Sequence, residues 1–192
     1  MAYKPSYKEN MSNSGSSKFE EFLDKKTNSY SNYKYGFAIR FPMNWTINKG
    51  VSEHTIIKGI EADSLITVSV NVIELNFKKN EEIKSAWDLF DSTRLQYEAL
   101  LKSKGKTEAN TIFENFDMKK IHLFNFEAIQ TQMEYKIKQV DFEYINKNIT
   151  YQLFKSPFIY TITLQVPKII YEMKPIYFNS LINKFTLVLR KQ

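Results

Sequence analysis

The chain reads as an α+β domain built on a mostly antiparallel sheet, and three observations lead there. The stretch "LITVSVNVIEL" alternates Ile66, Val68, Val70 and Val72 with Thr67, Ser69 and Asn71, the period of two that gives a strand one buried and one wet face. In "NEEIKSAWDLFDSTRLQYEALLKSKG", by contrast, Ile83, Trp87, Phe90, Tyr97 and Leu101 recur at helical spacing. Beyond it, successive apolar runs are joined by short polar turns that fit hairpins, so most neighbouring strands should run antiparallel.

Composition sets the bounds. With 192 residues, 43% hydrophobic and 15% aromatic, the chain can bury one full core and carry an appendage. Only 5 Gly and 5 Pro are available, so Asn, Asp, Ser and Lys must make many of the turns. The net charge of +6 comes mostly from lysine. Arg40, Arg94 and Arg190 are the only arginines, and they are scattered, which argues for a solvated basic surface and against nucleic-acid readout. Weak contact with an anionic membrane surface fits the same charge. The absence of cysteine excludes disulfides, thiol nucleophiles and Cys-ligated metals. No apolar run approaches the roughly 20 residues that span a bilayer, nor does the N-terminus carry the apolar region of an export signal. The expected location is exported or surface-attached if such a signal has been removed, and cytoplasmic if Met1 is the native start.

Residues 1–34 are rich in Ser, Asn and Lys and hold one short amphipathic patch, "FEEFLDK", too little apolar surface to repay ordering. They are expected to form an N-terminal arm, a tether or docking segment, ahead of a domain at 35–192. In "GFAIRF" Phe37, Ile39 and Phe41 alternate with Ala38 and Arg40; Pro42 stops that strand and a second short one follows Trp45. Another strand is expected around Glu53–Ile60. The long helix should cover about 80–104, capped by Asn80, with Glu81 and Glu82 in its first turn and Gly105 at its end. "NTIFENF", "KKIHLF", "FEAIQTQMEYKI", "NITYQLFK" and "FIYTITLQV" follow as strands or fragments, with a sharp turn at Ser156–Pro157. Pro175 then opens a short helix at about 175–184, whose Tyr177 or Phe178, Leu181, Ile182 and Phe185 form an inward face, before the last strand "FTLVLRK".

The run Tyr35-Gly36-Phe37-Ala38-Ile39-Arg40-Phe41-Pro42-Met43-Asn44-Trp45, an aromatic and Gly before F-x-I-x-F-P with Trp three residues on, resembles the start of PsbP-like domains. The order of elements over residues 33–190 resembles that family too, whose fold is shared by DcrB-like proteins and a Ran-binding nuclear import factor. The resemblance implies an α/β/α sandwich around a central sheet, and binding to a protein partner or larger complex without catalysis. Tyr35, Gly36, Phe37, Ile39, Phe41, Pro42 and Trp45 are then a structural signature, with Trp45 a lid on the core.

Catalytic constellations are not assembled by the sequence. His54 and His122 lack the helical partner or acidic cluster that specifies a metal. There is no G-x-S-x-G elbow, P-loop or G-x-G-x-x-G. The acid pairs Glu61/Asp63 and Asp141/Glu143 sit in turn-like sequence, and Asp88, Asp91 and Arg94 read as a surface ion ladder along the helix. No catalytic residue, metal ligand or cofactor is therefore expected, and the protein is expected not to be an enzyme. Two further readings stay open. One is a small-ligand or lipid carrier with its groove between the long helix and the sheet, near Trp87, Phe90 and Tyr97; the other is a DcrB-like secretion-effector chaperone.

Overall fold

The computed structural model describes residues 20–50, 52–62, 65–76, 83–102, 111–138 and 142–187. Within them run β1 (Glu21–Asp24), β2 (Ser29–Asn32), β3 (Phe37–Arg40), β4 (Trp45–Lys49), β5 (Thr55–Glu61) and β6 (Thr67–Glu74). A 3-10 turn (Ala86–Leu89) leads into α1 (Phe90–Lys102), followed by β7 (Thr111–Leu123), β8 (Phe126–Lys138), β9 (Glu143–Lys155) and β10 (Phe158–Pro167). The chain continues through α2 (Lys168–Met173), α3 (Pro175–Ile182) and β11 (Phe185–Leu187). The class is α+β, as expected, but the strands form two sheets where one central sheet was expected. A four-stranded sheet has the order β1-β2-β3-β11, and a seven-stranded sheet the order β4-β5-β6-β10-β9-β8-β7. Every pairing among the described strands is antiparallel.

Alternation builds the main core. Val68, Val70 and Val72 of β6 lie beside Tyr160, Ile162 and Leu164 of β10 and Ile149, Tyr151 and Leu153 of β9, all buried on one face of the large sheet. Tyr30, Phe37, Ile39 and Phe41 press onto that face from the small sheet, joined by Trp45 and by Phe178, Leu181, Ile182 and Phe185. Fully burying each such side chain is worth about 1.5–3 kcal/mol, so this junction holds the two sheets together. In a smaller cluster, Ala86 of the 3-10 turn packs with Ile129, Phe154 and Ile159 of the large sheet.

Four expectations need correction. Residues 20–34, assigned by composition to the arm, include the β1–β2 hairpin, where Tyr30 is buried among the core residues; residues 1–19 lie outside the described residues. The helix expected at about 80–104 is α-helical only over Phe90–Lys102. Its cap is Ser85, not Asn80: the Ser85 hydroxyl accepts from the Trp87 N–H at 3.1 Å while Asp88 accepts from the Ser85 and Lys84 N–H groups. Asn80, Glu81, Glu82 and Gly105 lie outside the described residues. "NTIFENF" and "KKIHLF" form one strand, β7, because a bulge between Phe113 and Asn115 breaks the alternation without ending the ladder. α2 was not expected at all. The short helix lies at Pro175–Ile182, and the last strand is described as far as Leu187.

Turn chemistry follows the scarcity of glycine. Phe124 and Asn125, joining β7 to β8, both take positive φ (53° and 65°), the backbone of a two-residue type I′ hairpin turn. The Phe124 ring lies 6.3 Å from Phe185, so core packing helps hold an unusual backbone for a bulky residue. Gly36 enters β3 at φ 67°, where a side chain would be strained.

Candidate binding surface

The seven signature residues converge on the seam between the sheets. Phe37, Ile39, Phe41 and Trp45 are buried. The Trp45 ring stacks on Phe41 (centroids 6.4 Å), and its backbone N–H donates to the Pro42 carbonyl at 3.0 Å. The Tyr35 ring meets Phe158 edge-on, and its carbonyl accepts from the Tyr160 hydroxyl. These contacts make a structural clasp between β3 and β10.

The three groove aromatics part company. The Trp87 indole N–H donates to the Ala128 carbonyl at 3.0 Å, its ring meets His122 edge-on at 5.0 Å, and Lys120 lies over both Trp87 and Phe90. Those two aromatics fasten the 3-10 turn to the sheet. Tyr97, stacked on Phe116 at 5.1 Å, lines a cavity of about 260 Å³ between α1 and the sheet, and Trp87 and Phe90 do not. Its other walls are mostly neutral polar groups, Thr131, Thr150, Gln152 and Thr161 from the strands and Thr93 and Gln96 from α1. Burial pushes the Tyr97 hydroxyl up, opposed by a hydrogen bond with Thr150.

The titratable candidates are dispersed. His54 precedes β5, while His122 lies on β7, with four strands of the large sheet between β5 and β7. Among the described residues no three His, Asp or Glu side chains gather as a metal site would need. Arg94 pairs with Glu98 at 3.5 Å, so the expected ladder from Asp88 is replaced by a helix cap and an i,i+4 pair. Glu143 pairs with Lys136 at 3.4 Å; Asp63 and Asp141 lie outside the described residues.

α2 and α3 carry what sequence reasoning missed. Ile169, Met173 and Ile176 expose 70%, 73% and 84% of their surface, and Met43, on the turn after β3, exposes 66%. Ile169 and Met173 sit one turn apart on α2, so they share a face, and Ile176 follows three residues on. Met43 and Tyr177 line one cavity, of about 400 Å³, which joins that turn to α3. The available signal was the apolar excess of "KIIYEMKPIY", which pattern alone cannot assign to the inside or the outside.

An ion cluster fixes the start of this ridge. Lys168, the first residue of α2, donates to Glu134 of β8 at 2.8 Å, and the same carboxylate takes Asn115 at 3.0 Å and Lys147 at 3.4 Å. Burial by itself would push the Glu134 carboxyl up, but Lys168, Asn115 and Lys147 outweigh it and hold it below the usual carboxylate range. A carboxylate depressed in the folded state contributes stability that is complete above its unfolded pKa, about 4.3 for Glu. That stability is lost as pH falls through the folded value. Urea midpoints taken from about pH 6 down to about pH 3 should therefore fall more steeply for the natural protein than for Glu134→Gln. Parallel curves would show that the cluster contributes nothing.

No family model matches the chain, and no curated protein matches it. Solved structures do share its fold. The solution structure of cyanobacterial PsbP (CyanoP) from Synechocystis sp. PCC 6803 matches with a TM-score of 0.60 at 14% identity, over 92% of this chain and 98% of that one. The crystal structure of LpqN, involved in cell envelope biogenesis of Mycobacterium tuberculosis, matches with a TM-score of 0.50 at 12% identity, over 80% of this chain and 83% of that one. The fold is PsbP-like.

Proposed function

We propose that this protein is a non-catalytic binding or assembly module that works through contacts with another protein. The observation that carries the reading is the outward exposure of Ile169, Met173 and Ile176 on successive helices, because large apolar side chains gathered on a surface mark interaction sites. The fold held in common with CyanoP and LpqN supports it. In this reading α1 covers one face of the seven-stranded sheet while the small sheet, α2 and α3 cover the other, the layered sandwich of PsbP-like domains. LpqN's part in cell envelope biogenesis supports a place outside the cytoplasm for this chain as well. No helix among the described residues is long and apolar enough to cross a membrane. Residues 1–19 would serve as the tether or docking arm.

The test is a crosslinked pull-down from native cells, using the intact chain, a chain lacking residues 1–19, and the exposed-site variant Met173→Ser/Ile176→Ser. A single stoichiometric partner, captured by the intact chain and lost by the serine variant, is the expected result; loss without residues 1–19 would give the arm its docking role. Turnover of a substrate at a rate that depends on particular residues would overturn the reading.

A second reading, a small-ligand carrier, is favoured by the cavity beneath α1. Its lining mixes uncharged hydroxyl and amide groups with Tyr97 and Leu100, which suits a small neutral ligand. Native mass spectrometry of gently purified protein would show added mass in that case.

A further inference from the structure

We propose that the cavity between the β3–β4 turn and α3, together with the ridge beside it, binds an apolar peptide segment of the partner that carries a carboxylate. The proposal rests on the protein-binding reading and names its site and chemistry. Phe41, Pro42 and Leu181 give the cavity apolar walls, and Arg40 and Lys184 give it two cations, while no carboxylate lines it. The backbone N–H of Arg40 donates to the Lys184 carbonyl at 3.2 Å, which brings the main chains of the two residues together in space. Both side chains are exposed, and no carboxylate among the described residues forms an ion pair with either. The nearby acids are otherwise placed. Asp24 accepts from the Thr27 hydroxyl and the Lys26 N–H, and Glu61 lies close enough to Tyr177 to act on its hydroxyl.

A guanidinium beside an ammonium in a partly apolar cavity is a carboxylate receptor, since the planar fork of arginine matches two carboxylate oxygens. Tyr177 lines the cavity, its chain neighbour Ile176 is 84% exposed, and Met173 and Ile169 are exposed on the preceding helix, which asks for apolar side chains next to the acid. The same charges disfavour an anionic membrane as the occupant. Glu172 is exposed on α2 between the ridge residues, Glu61 flanks Tyr177, and Lys168 is engaged by Glu134, so a flat anionic surface would meet both signs. Among the described residues that line the cavity, the charged ones are both cations, Arg40 and Lys184.

The experiment is selection from a displayed library of random peptides on the full chain, followed by fluorescence anisotropy with a labelled winning peptide. Enriched peptides should combine Asp or Glu with large apolar residues. Arg40→Glu/Lys184→Glu should weaken binding by roughly tenfold or more, and a peptide with its acid changed to Lys should recover affinity for that reversed protein. Met173→Ser/Ile176→Ser should weaken binding comparably; all four positions are exposed, and thermal melts would confirm that the variants fold. Enrichment of peptides without an acid would overturn the proposal. So would binding indifferent to these substitutions, which would leave the pull-down result standing and move the site elsewhere. Direct binding to vesicles of phosphatidylcholine and phosphatidylglycerol in equal parts, lost by Met173→Ser/Ile176→Ser and with no peptide enriched, would assign the face to membrane instead and sink the peptide site.

Discussion

Replacing Phe37 by alanine should lower the free energy of unfolding by about 3–5 kcal/mol, the usual cost of emptying a large buried aromatic site. Phe37 is 0% exposed and sits where the two sheets meet. Its ring lies 5.9 Å from Tyr30 of β2, 6.3 Å from Tyr160 of β10 and 5.6 Å from Phe185 of β11. Those partners come from three strands of both sheets, and none can collapse into the vacated space without leaving its own ladder. The loss should therefore fall mostly on the attachment of the small sheet. β11 follows directly on α3, so weakening the contact with Phe185 also loosens the mounting of the ridge. Denaturant unfolding would measure the first effect, with Met43→Ala as the exposed control expected to stay within about 0.5 kcal/mol. A loss below about 1 kcal/mol for Phe37→Ala would mean that the sheets are held together elsewhere.

The residues that were legible in the sequence are those whose burial is one-sided. Phe37, Ile39 and Phe41, and Val68, Val70 and Val72, alternate because one face of each strand meets the core and the other meets polar surroundings. Phe178, Leu181 and Ile182 face inward for the same reason at helical spacing, while Phe185, expected on the same helix face, is buried from β11 instead and Tyr177 is exposed. The β1–β2 hairpin was missed because Tyr30 is the only large apolar residue in "SYSN", and one buried ring does not make a period. The helix start was displaced because Asn80 and Ser85 both offer a side-chain oxygen; the reciprocal bond from Asp88, three residues after Ser85, is what distinguishes the real cap. The ridge on α2 and α3 was illegible for a deeper reason. Ile169, Met173 and Ile176 are the residue types that normally fill a core, and only tertiary placement shows that the neighbouring Phe178 and Leu181 have already taken the inward positions. Aromatic spacing points to Trp87, Phe90 and Tyr97 for a carrier groove, whereas of these only Tyr97 lines the cavity beneath α1, beside threonines and glutamines that a hydrophobic pattern passes over.

Gly59 should tolerate a side chain only when Phe41 is gone. Position 59 lies inside β5, paired with Ile47 on one side and Val68 on the other, and it faces the core. A Cβ built there would lie 2.2 Å from Cδ1 of Phe41 and 2.4 Å from its Cε1. The ring cannot swing away freely, because it is buried and stacked on Trp45. A glycine inside a strand weakens it through lost entropy and missing packing, so its presence here reflects the close approach of the ring that the signature places at Phe41. Gly59→Ala in the natural protein should therefore cost about 1–3 kcal/mol, the range for overpacking a filled core. In a Phe41→Ala background the same change meets empty space. There it should be neutral or stabilise by about 0.5–1 kcal/mol, the ordinary advantage of Ala over Gly in a regular element. The two changes touch the same atoms, so their costs should fail to add, and the double-mutant cycle reads that failure directly. Equal costs of Gly59→Ala in the two backgrounds would mean that the strand, not the ring, needs the glycine. The Phe41–Trp45 pair would then not be seated on β5.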